Sequence, residues 1–300
     1  MSVVICGSLA FDTIMTFEGR FADQILSEQL HILNVSFLVP SLRRDFGGCA
    51  GNIAYSLNVL GGKALPMATL GSDGGDYLTR LEELGIGTDF VRKIDSTYTA
   101  QAMIMTDMDN NQITAFHPGA MMQAHCTHIE NAEAHGIRLG IVAPDGRDAM
   151  LQHAEQFRAA GIPFVFDPGQ GLPMFSGEEL RHFVELATWV AVNDYEARML
   201  VDRTGLSLAE LSQRGDGLGV TLGAAGCEVW VAGAHTVVPP VVPTQVVDPT
   251  GCGDAWRGAL LFGLEQGWPL VRCASLGNRM GALKVASRGP QNYQIDFAPA

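Results

Sequence analysis

At 300 residues, of which 47% are hydrophobic and 17% charged, the chain is sized for one large α/β domain with a substantial buried core. Its 19 basic and 32 acidic residues give a formal charge of −13, which argues against nucleic acid or an anionic membrane as partner. No apolar run reaches the roughly 18 residues of a membrane span, and the six cysteines lack Cys-x-x-Cys spacing, as expected of reduced thiols in a cytoplasmic protein.

Val3 to Cys6 reads as a first strand, entered without the basic lead of a signal peptide. The turn after it delivers Asp12 just beyond the strand end, where open α/β sheets collect ligands, so Asp12 is a substrate candidate as well as a turn-capping one. Residues 32–46 carry Ile32, Val35, Phe37, Leu38 and Val39 in a strand-like pattern interrupted by Pro40, which suggests an edge strand or flap. Gly47-Gly48-Cys49-Ala50-Gly51-Asn52 then opens a helix that ends at Gly61-Gly62. Its glycines permit close backbone approach to a ligand, and Asn52 offers both amide groups to vicinal hydroxyls, or serves as a simple helix-start amide. A strand follows at Ala64–Leu70 and a helix at Asp76–Leu84. From Phe90 to Phe116 the pattern changes to strand pairs, Thr99–Thr106 and Gln112–Phe116, around a polar turn. Segments 12–20, 32–46 and 90–117 together predict a small inserted β-sheet, placed to act as a lid. From residue 139 onward βα alternation is regular: Leu139–Ala143, helix 146–160, Pro163–Phe166, helix 177–187, Trp189–Asn193, helix 194–204, Gly219–Leu222. This predicts a mostly parallel central sheet flanked by helices. Two strands expected to pair antiparallel (Cys227–Val231, Thr236–Val238) and two helices (254–266, 270–287) complete the domain.

The stretch with the clearest chemistry is Asp248-Pro249-Thr250-Gly251-Cys252-Gly253-Asp254, a glycine-rich turn opening a helix. Gly251 and Gly253 admit backbone angles closed to other residues, and the N–H donors with the positive helix end suit an anion. A carboxylate beside such a nest is electrostatically awkward, so Asp254 reads as a proton acceptor in phosphoryl transfer, with helix capping as the plain alternative. Neither a Rossmann fingerprint nor a P-loop fits: Trp256 stands where a third glycine would be needed, and Gly62-Lys63 is followed by Ala64. With only Lys63, Lys93 and Lys284 as lysines, phosphate would be met by backbone dipoles, a divalent metal and an arginine.

Taken together, Gly47-Gly48-Cys49-Ala50-Gly51-Asn52 and Asp248-x-Thr-Gly-Cys-Gly-Asp254 resemble the two signatures of the ribokinase-like (PfkB-type) family of sugar and nucleoside kinases. Asn193-Asp194-Tyr195-Glu196 resembles that family's Asn-x-x-Glu, and the stretch from Val220 to Gly226 its ATP-binding loop. The resemblance implies a cytoplasmic kinase using ATP and Mg²⁺, monomeric or dimeric through its lid. It implies Asp254 as base, with Gly251, Cys252 and Gly253 as the anion hole. Asn193 and Glu196 would organise Mg²⁺ and its waters, while Thr221, Gly223, Gly226 and Asn278 would line the ATP site. Asp12, Gly48 and Asn52 would bind acceptor hydroxyls. Asp248, Thr250 and backbone near Gly289 match a site that holds a monovalent cation, K⁺, in many members. Arg257, one turn after Asp254, is read as a solvent-facing arginine or a phosphate contact, and Asp167 ends a strand facing the cleft. A nucleoside is favoured over a free sugar because the lid offers apolar cover for a base: Phe11, Phe17, Phe37, Leu38, Met103, Met105 and Phe116, with Gln101 and Gln112 to read its edge. Sugar phosphorylation and a catalytically silent sensor are the alternatives.

Overall fold

The β-branched run at the N-terminus decides the layering. In the computed structural model, which describes residues 2–25, 32, 34–129 and 135–299, strand β1 (Ser2–Cys6) is buried along its whole length. Val3 and Ile5 enter one hydrophobic cluster while Val4 and Cys6 enter another, the period of two that a strand covered on both faces requires. After β1 come β2 (Ala10–Thr16), α1 (Phe21–Gln24), β3 (Ser41–Gly47), α2 (Cys49–Val59), β4 (Lys63–Gly71), α3 (Gly75–Glu83), β5 (Val91–Ile94), β6 (Ala100–Thr106) and β7 (Gln112–His117). The second half runs β8 (Ile137–Val142), α4 (Arg147–Ala159), β9 (Phe164–Phe166), α5 (Gly177–Leu186), β10 (Trp189–Asn193), α6 (Asp194–Thr204), α7 (Leu208–Ser212), β11 (Gly217–Thr221), β12 (Cys227–Val231), β13 (Ala234–Val238), α8 (Cys252–Glu265) and α9 (Leu270–Val285).

Nine strands form the central sheet in the order β13-β12-β11-β10-β9-β8-β1-β4-β5. Pairing is parallel from β5 through β11, and β12 and β13 add antiparallel at the edge as the sequence predicts. No helix among the described residues is long and apolar enough to cross a membrane. A separate four-stranded sheet, β3-β2-β6-β7, is the predicted small inserted sheet; its β2–β6 pair is parallel and its two outer pairs antiparallel.

Its boundaries differ from expectation in three places, the first being that Asp12 lies inside β2 and not in a turn, since the strand runs from Ala10 to Thr16. The apolar residues before Pro40 form no strand: 34–39 is irregular, Leu38 is 86% exposed, and β3 begins at Ser41. Pro40 has no N–H for a ladder and a fixed φ, so regular pairing starts only beyond it; residue 33 of the expected segment lies outside the described residues. Within 90–117, Val91–Ile94 pairs with β4 and so extends the central sheet, leaving Ala100–His117 to the small one.

Candidate active site

Two helix N-termini meet in this fold. α2 and α8 pack closely because Gly258 has no side chain: a Cβ there would stand 2.5 Å from the Cβ of Ser56. The approach brings the first turns together, and Asn52 Nδ2 donates to Asp254 Oδ2 at 2.8 Å. Gln291 Nε2 donates to Asn52 Oδ1 (3.0 Å) and to the Tyr77 hydroxyl (2.9 Å), which itself donates to the Gly47 carbonyl at 2.6 Å. Asn52 is thus a buried clamp on Asp254, with one Nδ2 hydrogen remaining rather than a whole amide.

The α8 turn has the conformation its glycines allow. Gly251, the N-cap, sits at φ 79°, and the N–H groups of Gly251 and Gly253 have no protein acceptor among the described residues. Two expectations about the turn change. The Cys252 N–H donates to the Pro249 carbonyl (3.2 Å), closing the turn instead of facing an anion. Gly253 is helical, and its missing side chain makes room for Arg257, whose Nη1 would lie 3.1 Å from an added Cβ.

Asp254 lies half-buried beside those donors, and burial pushes its pKa up to about 6. Asn52 and Arg257 oppose the rise, while the charges of Asp167 and Asp12 add to it. Asp12 is also pushed up to about 6, first by burial and then by Asp45 and Asp248, with Arg43 opposing. Asp12 faces Asp45 directly across β2 and β3, a like-charge pairing that costs stability and therefore needs a reason.

The sequence reading did not reveal how Arg257 pairs. Arg257 is 5% exposed, neither solvent-facing nor free. It forms a bidentate pair with Asp167 through Nε to Oδ2 and through Nη2 to Oδ1 (2.8 Å), and its Nη2 stands 3.6 Å from Glu196 Oε2. Asp167, Glu196 and Gly253 are therefore bound into one unit, Arg257 Nη1 donating to the Gly253 carbonyl at 3.3 Å. Asn193 and Glu196 form a reciprocal capping box at the start of α6, with both bonds at 2.8 Å. Burial, then Asp167, raises the pKa of Glu196. Its Oε1 makes no hydrogen bond to the described residues and is the oxygen left for a ligand. No cluster of three metal-ligating side chains exists among the described residues. The arrangement fits Mg²⁺, which is held by one or two carboxylates plus waters and phosphates rather than by a protein cage.

Beyond the turn lies a cavity of about 510 Å³ whose lining includes Thr221, Gly223, Gly226, Asn278, Cys252 and Gly253. The residues expected at the ATP site therefore share one pocket that ends at the glycine turn of α8. Its walls are apolar, with Trp256, Val242 and Val246 as members that no motif announced. Asn278 does not offer its amide to a ligand: Oδ1 accepts from Trp256 Nε1 (3.3 Å), and Nδ2 donates to the Val238 and Pro239 carbonyls.

The lid divides the acceptor candidates between its two faces. Register aligns Asp12, Asp45, Ala102 and Phe116 on one face and Phe11, Phe46, Gln101 and His117 on the other. Gln101 donates to Thr13 Oγ1 (2.7 Å) and, with Met103, lines a separate hollow near Arg44 and Tyr98, so neither residue joins Asp12. Met105 shares that face. Gln112 and Phe116 lie on Asp12's face, Phe116 being 54% exposed. Phe11 is buried against Phe46 and Tyr77, while Phe17, Phe21 and Phe37 pack on each other at centroid distances of 5.0–5.9 Å, a small core of the lid itself.

Asp248 and Thr250 do not present a vacant cation cage. Asp248 Oδ1 accepts from the Thr250 N–H and Oδ2 from the Gly289 N–H, both at 2.9 Å, and these bonds outweigh burial to hold its pKa below the usual carboxylate range. Lys284 Nζ donates to the Asp248 carbonyl at 2.7 Å. The residues present therefore do not fit a K⁺ ion.

Over residues 12–296 the chain matches the pfkB family carbohydrate kinase. The nucleoside kinase of Methanocaldococcus jannaschii is 29% identical over 261 residues, covering 86% of this chain and 85% of that protein. Burkholderia thailandensis nucleoside kinase in complex with inosine is similar in structure, with a TM-score of 0.86 and 54% identity over 97% of this chain and 93% of that one. The same enzyme in complex with ADP-inosine gives a TM-score of 0.84 and 54% identity over 98% and 92%.

Proposed function

Because this chain belongs to the pfkB family of carbohydrate kinases, phosphotransferases to alcohol groups, we propose that it transfers the γ-phosphate of ATP to the 5′-hydroxyl of a ribonucleoside. The observation that carries the proposal is Asp254: a carboxylate in the first turn of α8, clamped by Asn52, with its pKa pushed up to about 6 by burial and in part by the charge of Asp12. A base near neutrality is ionised at physiological pH yet still basic enough to take a hydroxyl proton. The acceptor hydroxyl gives its proton to Asp254 as its oxygen attacks the γ-phosphorus, and ADP departs along the cavity. The Gly251 and Gly253 N–H groups meet the transferring phosphoryl oxygens at the positive end of α8. Arg257, tied to Asp167 and Glu196, fixes Glu196 beside that turn. Magnesium bound with the triphosphate supplies charge neutralisation, and the residue to hold it through water is Glu196.

Asp12 grips the ribose hydroxyls, and its neighbours on the same lid face favour a base over a bare sugar. Ile14, Ala102, Ile104 and Phe116 are apolar cover that a free pentose does not need. The relative bound to inosine supports this reading at 54% identity. The test is kcat/KM with ATP for inosine, adenosine, guanosine and cytidine against ribose and fructose. Ribonucleosides should be preferred, with 2′-deoxynucleosides poorer by about tenfold or more because a buried hydroxyl partner is left unpaired. A sugar with the higher kcat/KM would overturn the nucleoside reading.

A further inference from the structure

Lys284 is the one lysine of the three buried from solvent; Lys63 is exposed and Lys93 pairs with Asp95 at the surface. It stands in the last turn of α9, and its ammonium donates to two main-chain carbonyls, Asp248 (2.7 Å) and Ser287 (3.1 Å). These carbonyls come from two loops, the one entering α8 and the one leaving α9, which are also joined by the Val247 and Asp248 N–H groups donating to the Val285 carbonyl (2.8 and 3.1 Å). Pro290, on the second loop, lies against Gly251, so the cation sits directly behind the turn whose Gly251 and Gly253 N–H groups have no protein acceptor among the described residues.

An ammonium is a costly way to fill such a space. Methionine or leucine would occupy a similar volume without desolvating a charge, so packing alone does not explain the lysine. Converging carbonyls are, by contrast, the donor set for which a weakly hydrated monovalent cation exchanges its water. Here the carbonyls are already served by a cation attached to the chain. Each oxygen of the neighbouring Asp248 carboxylate already accepts an N–H, and Arg43 Nη2 stands at 3.5 Å, so a further cation beside Asp248 would meet two positive groups, Lys284 and Arg43.

We propose that Lys284 is a built-in monovalent cation: its ammonium takes the place of a K⁺ ion behind the phosphate-binding turn, so this chain works without potassium. The inference concerns the turn rather than the acceptor, so a melting measurement reads it whichever alcohol is phosphorylated.

The test compares purified protein in K⁺ with protein in tetramethylammonium at equal ionic strength, following both Tm and ADP formation. Wild-type Tm should be unchanged and turnover should differ by less than about twofold, because a site already filled has no ligand to gain. Lys284→Ala should lose about tenfold or more in tetramethylammonium and recover both turnover and Tm on addition of K⁺ or NH₄⁺, which enter the vacated site. Lys284→Met, which fills the space without charge, should be impaired and not rescued. Wild-type enzyme strongly activated or stabilised by K⁺ would overturn the proposal. So would a Lys284→Met variant with full turnover in tetramethylammonium, or a folded Lys284→Ala variant that K⁺ does not rescue. If Lys284→Ala fails to fold, the wild-type comparison decides.

Discussion

Asp12 and Asp254 hold their protons more tightly in the fold than at the ordinary 3.8, both near 6. The folded state therefore binds more protons than the unfolded one between these values, and the corresponding stability is full below 3.8 and lost as pH rises through about 6. Asp12→Asn removes a penalised charge and should melt higher than wild type at pH 7.5 while losing kcat/KM, an advantage that shrinks as pH falls below 6; a lower Tm at pH 7.5 would contradict the assignment. For the same reason kcat/KM should fall on an acid limb with an apparent pKa near 6 as Asp254 takes up its proton. A profile flat down to pH 5 would remove Asp254 as base. Arg257 makes the opposite prediction: Arg257→Ala leaves Asp167 buried and unpaired, at a cost of about 3–5 kcal/mol, read as a large drop in Tm, and lysine should restore it only partly because it cannot bond in two places at once. Of these residues, Asp254 and Asp12 were legible in the sequence because each follows a glycine-bearing turn at a strand or helix end. The Arg257–Asp167 pair was not: each residue could be singled out by its place, but 90 residues separate them and nothing in the sequence joins the two.

At the scale of elements, the turn into α8 is the part that local sequence determines most fully, and it is also the least tolerant. Gly251→Ala would put a side chain at φ 79° with its Cβ 2.7 Å from that of Pro290. The backbone cost alone is about 1–2 kcal/mol, and the larger effect should be on kcat, because the N–H donors are re-aimed while the apolar cavity is untouched. Unchanged kcat in Gly251→Ala would show that the turn's N–H groups do not meet the phosphoryl group. The lid shows the opposite case. Alternation identified its strands, yet a shift of one residue reverses every side chain, and only register reveals that Gln101 and Asp12 face opposite ways. Pro40 was visible as an interruption, but whether strand lay before or after it depended on Ser41–Gly47 finding β2 as partner.

For the molecule as a whole, βα alternation made the central sheet readable, because each strand must be apolar on both faces and each helix on one. The cleft was only partly readable, since it exists where α2, α8, α9 and the lid converge from distant parts of the chain. Asn52 reaches Asp254 across 202 positions and Gln291 reaches Asn52 across 239. We propose that this convergence performs phosphoryl transfer from ATP to a ribonucleoside 5′-hydroxyl with Asp254 as base. The decisive experiment incubates wild type and Asp254→Asn with γ-labelled ATP and inosine and identifies the product by NMR. Label should appear in the 5′-monophosphate in step with ADP, and the rate should fall on the order of 10² to 10⁴ in the variant with inosine binding retained. ADP formed without a labelled 5′-monophosphate, or an Asp254→Asn variant turning over like wild type, would contradict it.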